Sequence, residues 1–207
     1  VIPRINWQSG TIYEMYKNNY SSTNRTSQTA TSGLYGSNYY VLTSEFKVYL
    51  CINNGSDPEN DKGKVSKFEP THTSTTVPPA DNTETGDGYQ WKYLYTIAPA
   101  DIVKFVTTTY IPLPEKWGDV STKTIKDAAV DGKLETIVIK RRGTATIDGI
   151  DGEISGIPII GDGTGGTATV TVSKGVVSEI KLSNTNSSGY TYAYVRFVNG
   201  TWGNNQK

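Results

Sequence analysis

The chain has little of what catalytic centres are usually built from. Its 207 residues include one cysteine, Cys51, and one histidine, His72. A single cysteine excludes an internal disulfide, so stability does not rest on an oxidising compartment. One Cys and one His also fall short of a zinc ligand set. A thiolate nucleophile needs a neighbouring base. Cys51 stands in the apolar run Val48-Tyr49-Leu50-Cys51-Ile52, whereas His72 stands in a Thr-rich segment, so Cys51 reads as a small core residue. Charge of one sign is missing too: 20 basic and 20 acidic residues cancel, leaving no electrostatic footprint for nucleic acid or an anionic membrane. No stretch approaches the ~20 consecutive apolar residues of a membrane helix. Walker loops, serine-hydrolase elbows and metalloprotease helices are likewise missing.

Several patterns mimic sites without completing them. Gly161, Gly163 and Gly166 satisfy G-x-G-x-x-G, but the alternating, β-branched run Thr167-Ala-Thr-Val-Thr-Val172 that follows is a strand pattern. A dinucleotide site needs a helix there, to set its N-terminus on the pyrophosphate. Asp148, Asp151 and Asp162 lie in glycine turns at spacings that match no calcium loop, so turn formation is their expected use. The pairs Glu84 with Asp87 and Glu115 with Asp119 sit in no recognisable glycosidase motif. Asn-x-Ser/Thr triplets at Asn19, Asn24, Asn54, Asn186 and Asn199 follow from the abundance of these residue types. No catalytic, cofactor-binding or metal-ligating residue is therefore assigned, and no cofactor is expected.

What the chain does have is Thr, Asn, Ser, Gly and Tyr, which favour strands and turns over helices. The clearest strand is Tyr89 to Ile97, which follows the turn signal Asp87-Gly88 and stops at Pro99, where an N–H is lost. Tyr89, Trp91, Tyr93 and Tyr95 share one face of it, against Gln90, Lys92 and Thr96 on the other. A buried aromatic ladder is expected, a carbohydrate or partner platform being the competing use. Tyr39–Leu42 and Phe46–Ile52 read as a strand pair around Thr43-Ser44-Glu45. Pro99 at a first helical position predicts a short helix to Phe105, and Ser121 as a cap predicts a second to about Val130. Residues 1–40 read as a surface arm or long loop, and Asn53–Asp87, with four prolines, as a long contact loop.

Beyond Gly132 the pattern changes. Gly132-Lys-Leu134-Glu-Thr-Ile137-Val-Ile139 matches Gly175-Val-Val177-Ser-Glu-Ile180-Lys-Leu182 in its glycine and apolar positions, each a glycine turn opening a strand. The expected fold is mainly β: a β-sandwich-like core with long loops and two short helices over residues 1–130, then a small glycine-rich β domain over residues 131–207.

Several blocks come in one order: Val1-Ile2-Pro3-Arg4 with Trp7; Val48 to Ile52; Glu69-Pro70-Thr71; Gly86 to Ile97 with Pro99; Tyr110-Ile111-Pro112-Leu113-Pro114; and Trp117-Gly118. Together they resemble the baseplate wedge family of T-even-type contractile-tailed bacteriophages, known as gene product eight, most nearly its versions in phages of cyanobacteria. The resemblance spans about residues 1–130. Ser188-Gly189-Tyr190-Thr191 and the glycine run before it resemble the glycine-rich β modules of phage tail and fibre proteins. Family members carry a further N-terminal region, so the chain reads as part of a longer polypeptide. The resemblance implies a non-enzymatic structural protein of the virion tail baseplate, assembled in the bacterial host cytoplasm. Its partners would be other baseplate wedge proteins and a possible second copy, not nucleic acid or membrane. A tail-associated host-recognition or carbohydrate-binding module is the alternative.

Overall fold

The computed structural model describes residues 1–29, 33–79, 86–143, 151–184 and 186–196. Its chain contacts divide it into two compact units, Val1–Ala129 and a second that begins at Val130. As the composition predicts, the fold is mainly β; among the described residues there are two short α-helices, and the strand pairs are antiparallel.

In the first unit the order is β1 (Ile2–Pro3), β2 (Tyr40–Leu42), β3 (Lys47–Asn54), β4 (Tyr89–Thr96), α1 (Pro99–Phe105), β5 (Tyr110–Ile111) and α2 (Lys123–Asp127). The expected strand pair is β2 with β3, and β4 joins on the other side of β3. Alternation in β4 buries Tyr89, Trp91, Tyr93 and Tyr95 and leaves Gln90, Lys92, Leu94 and Thr96 half-buried. Two register shifts in β3, at Val48/Tyr49 and Cys51/Asn53, keep Val48, Tyr49, Cys51 and Asn54 buried with the ladder. The turn before β3 puts Phe46 at φ +57°, held by Phe46 N donating to Thr43 O and Thr43 N to Lys47 O. At the lower end Leu42, Val48, Tyr95, Ile97 and Ile111 form one apolar cluster, against which Ile102 and Val106 pack from α1 and its C-cap.

Irregular chain, as the long-loop alternative has it, covers the aromatic end of this sheet, but residues 13–15 are buried against it instead of standing out as a surface arm. Tyr13 is 1% exposed and packs edge-on against Tyr89 and Trp91, with ring centroids 6.3 and 5.5 Å away. Hydrogen bonds replace the periodicity the segment lacks. Tyr13 N donates to Tyr89 Oη, and Tyr16 N to Cys51 O. The buried Glu14 carboxylate accepts from Ser37 Oγ, Thr29 N and Thr29 Oγ1. Burial works to raise the Glu14 pKa, but these donors outweigh it and the net shift is downward.

Pro99 does open α1, with Ala98 as its N-cap. The second helix is shorter than expected and begins after Thr122, not Ser121. Thr122 is fully buried and its hydroxyl accepts from Gly118 N, so it ties down the preceding loop instead of capping the helix.

The second unit holds β6 (Gly152–Pro158), β7 (Ile160–Gly161), β8 (Thr167–Ser173), β9 (Val176–Leu182) and β10 (Ala193–Tyr194). Sheet order is β6-β8-β9, with β7 and β10 paired separately. Alternation in β8 turns Ala168, Val170 and Val172 into the core with Ile154, Ile157, Ile159 and Val177. Lys174 and Gly175, both at positive φ, form the two-residue turn between β8 and β9, where the residue pair Ser173–Val176 closes the hairpin. The second copy of the predicted repeat is therefore a strand. The first is not: residues 133–139 are irregular, although Leu134, Ile137 and Ile139 still pack on the core. Gly132 at φ +64° lies so close to Gly189 and Tyr190 that a Cβ would meet Tyr190 N at 2.2 Å, and this contact, not strand pairing, sets the local path.

Candidate interaction surface

Residues that carry chemistry in the sequence are used structurally in the fold. Cys51 is fully buried, its thiol donates to Asn53 O, and burial pushes its pKa well up, the reverse of what a nucleophile needs. His72 is not its base: Nε2 donates to Trp91 O, and the ring lies edge-on to Tyr49. Asp87 accepts from Lys67 N at 2.6 Å, from Tyr89 N at 3.1 Å and from Phe68 N at 3.3 Å, fastening the 66–68 segment to the start of β4. Glu84 and Asp148 lie outside the described residues. Asp162 accepts from Thr191 N, Thr191 Oγ1 and Tyr192 N, and the Thr191 hydroxyl above all lowers its pKa to about 2. Among the described residues no three His, Cys, Asp or Glu side chains gather as a metal site.

The glycine run 161–166 leads from β7 into the strand β8, and no helix follows it. It serves as the seat of Tyr190: a Cβ on Gly163 would stand 2.4 Å from that ring, and one on Gly161 2.8 Å. Gly166 N donates to Tyr190 Oη. Glycine is needed here for close approach of a ring to backbone, not for a phosphate.

The aromatic ladder of β4 is core, with Tyr89 and Trp91 both 0% exposed and stacked at 5.4 Å, so it offers no platform to a ligand. The Asn53–Asp87 loop is likewise held against the sheet where it is described. Tyr49 Oη donates to His72 O, Gln90 Nε2 to Pro78 O, and Lys47 Nζ to Thr71 O.

What lies open is a different segment. Val103, Phe105, Tyr110, Leu113, Trp117 and Val120 are all exposed, from 48% at Tyr110 and Trp117 to 96% at Val120. They follow one another from α1 through β5 to the loop before α2. On α1 the inward positions Ile102 and Val106 are spent on the core, and the helix is too short to bury a second side, so Val103 and Phe105 face solvent. In β5 Ile111 is buried while its neighbour Tyr110 is exposed, as strand alternation requires. Exposed apolar area is where contacts with other proteins form when it is contiguous, which makes this segment the candidate interaction surface. The sequence offered one signal for it: apolar residues too dense for the seven-residue helix and two-residue strand that carry them.

In the second unit Ile160 and Tyr194 are register partners on β7 and β10, and both are exposed, as is Tyr192.

Among known proteins, no curated protein and no solved structure matches the chain. Residues 51–150, just under half the chain and inclusive of β4, α1, β5 and the exposed apolar segment, match the family described as Bacteriophage T4, Gp8. That is the family the ordered sequence blocks resemble, and the match over residues 51–150 supports the gp8 baseplate wedge family.

Proposed function

We propose that this protein is a structural wedge subunit of a contractile phage tail baseplate, acting through interfaces with neighbouring baseplate proteins and catalysing nothing. The observation that carries this is the coincidence of the family match with the exposed apolar run Val103 to Val120. Aromatic and apolar anchors of this kind are where binding energy concentrates, and a stable interface buries at least ~1,000 Å² around them. Zero formal net charge supports protein partners over nucleic acid. No helix among the described residues is long and apolar enough to cross a membrane. The same reading places the protein in the virion tail, assembled in the host cytoplasm, with a second copy among its possible neighbours. Its mechanical role would be to hold the wedge and pass on its rearrangement when the tail contracts.

Co-expression with the other wedge proteins of the same phage tests the reading. Wild-type protein should co-purify with at least one of them, and the double variant Phe105→Ser/Trp117→Ser should fold but lose that partner. Hydrolysis of a host polysaccharide by the purified protein, or unchanged assembly of the double variant, would sink it. The exposed Tyr192 and Tyr194 favour a second reading as a carbohydrate-binding tail module; specific signals on a glycan array, abolished by Tyr192→Ala, would select it.

A further inference from the structure

Two segments distant in sequence, the arm around residues 10–28 and the loop around residues 61–68, meet over the Tyr89–Trp91 stack through three polar junctions. At the first, Asn54, fully buried at the end of β3, donates from Nδ2 to Tyr13 O (2.7 Å) and Gln28 Oε1 (3.0 Å) in the arm and to Lys62 O (3.1 Å) in the loop. Gln28 spans the same gap, accepting from Met15 N and donating to Asp61 O. At the second, the Tyr89 hydroxyl accepts from Tyr13 N and donates to Lys64 O, so one oxygen joins arm to loop. At the third, Ser66 is fully buried: Gly10 N donates to its carbonyl, its N–H to Thr11 O, and Trp7 Nε1 to its hydroxyl.

None of these bonds lies in a helix or a named strand pair: Gln28 Nε2 to Asp61 O, Gly10 N to Ser66 O, Ser66 N to Thr11 O and Trp7 Nε1 to Ser66 Oγ join the segments directly, while Asn54 and Tyr89 each tie both of them to the sheet. The buried apolar side chains of the arm are Tyr13 and Met15, joined by Tyr16 and Tyr20 packed against Tyr39. A structure held by few apolar contacts and many shared polar ones opens cooperatively and before the core strands do. A second observation marks the closed state as imperfect: Trp91 Nε1, directly beneath the arm, is buried with no hydrogen-bond partner. Closure leaves this donor unsatisfied, while opening returns it to water.

We propose that the arm and the loop are one lid, latched at Asn54, Tyr89 and Ser66, which opens as a unit and uncovers Tyr89 and Trp91 while the β3–β4 pairing stays intact. The device does not depend on which partner the protein binds. Protection then has a single source for amides as far apart in sequence as Tyr13 and Ser66.

Native-state hydrogen exchange on the full chain tests this. The arm is followed at the Tyr13 and Tyr16 amides and the loop at the Lys64 and Ser66 amides, with β3, β4 and β8 amides as controls. In wild-type protein all four reporters should share one opening free energy and one denaturant dependence, both below those of the controls. Gln28→Ala, a change in the arm, should speed exchange at Lys64 and Ser66 as much as at Tyr13 and Tyr16, roughly five- to tenfold for the loss of shared hydrogen bonds. Ser66→Ala should act reciprocally on the arm. Separate isotherms for arm and loop in the wild type, or a variant that speeds exchange only on its own side, would overturn the proposal. The wild-type isotherms decide the matter even if a variant destabilises the whole unit.

Discussion

Trp91 and Trp117 differ by 48 percentage points of exposure, and replacing them should have opposite consequences. Trp91 is 0% exposed, stacked on Tyr89 and crossed by Tyr13 at 5.5 Å, whereas Trp117 is 48% exposed. A buried tryptophan removes ~150–250 Å² from water, which at ~25 cal/mol per Å² corresponds to ~4–6 kcal/mol. Measured Trp→Ala losses in cores run ~3–5 kcal/mol. Either figure is most of the ~5–15 kcal/mol that keeps a domain folded, so Trp91→Ala should leave the first unit largely unfolded. Trp91→Phe is the informative control. It keeps a ring against Tyr89 and Tyr13 and removes the unpartnered indole N–H, which costs ~1–3 kcal/mol where it is buried. That relief offsets much of the lost area, so the net destabilisation should stay within ~1–2 kcal/mol. Trp117→Ala should change stability by no more than ~0.5 kcal/mol, as surface substitutions do, while weakening partner capture. Urea denaturation followed by near-UV circular dichroism, with the slope constant across variants, measures all three. Soluble Trp91→Ala protein with a wild-type midpoint would refute the burial argument, and a Trp117→Ala protein that unfolds would refute the assignment of that residue to the surface.

Three further outcomes follow from local geometry. Gly163→Ala would place a Cβ 2.4 Å from the Tyr190 ring and 2.5 Å from Ser188 O, so it should destabilise the second unit by ~1–3 kcal/mol, the usual range for overpacking, read as a shift in its urea midpoint. Burial, with Tyr39 nearby, pushes the Tyr40 pKa up to about 12, and Tyr13, Tyr20, Tyr39, Tyr89 and Tyr95 are raised as well. A raised folded pKa contributes stability that is full below the unfolded value near 10 and is lost as pH rises through the folded one, so tyrosinate absorbance should appear in two phases, the later one with unfolding. Asp162 is depressed instead, to about 2, chiefly by the Thr191 hydroxyl; its contribution is full above ~4 and lost as pH falls towards 2. In a carboxyl NMR titration Thr191→Val should raise that pKa, and no change would show that the contact does not form in solution.

Period-2 patterning made the β4 ladder, the β2–β3 pair and the β8 strand legible before any coordinates, because alternation reports directly which face is buried. Cys51 was legible for the same reason. Proline chemistry places the start of α1, whereas α2 starts one residue later and ends earlier than the Ser121 cap predicts, because no side chain caps it and the Thr122 hydroxyl is spent on Gly118 N. The arm failed for a physical reason. Tyr13, Glu14 and Met15 are buried by hydrogen bonds to Tyr89, Asn38 and Gln28, residues 13 to 76 positions away, and such long-range polar pairing leaves no periodic trace. In residues 133–139 the strand pattern was present, yet the close approach of Gly132 to Tyr190 overrode it. The surface run from Val103 to Val120 was the hardest to see, since its side chains look like core residues until the core is known to be full.

The placement of the carboxylates bears on function more than their number does. Glu14, Asp87 and Asp162 each accept at least three hydrogen bonds from backbone amides or hydroxyls, and each holds an irregular segment in place. A general acid or base must change its protonation state during turnover, and here every such change would give up several donors at once. For Glu14 and Asp162 those donors also keep the acid ionised through neutral pH, further from the poised value that proton transfer needs. These groups fix loops at the cost of reactivity. Large apolar side chains, by contrast, stand in water along one segment: Val103, Phe105, Tyr110, Leu113, Trp117 and Val120 are all exposed. With Glu14, Asp87 and Asp162 spent on holding loops and an apolar run left exposed, these features support the proposed reading of a part that holds its neighbours.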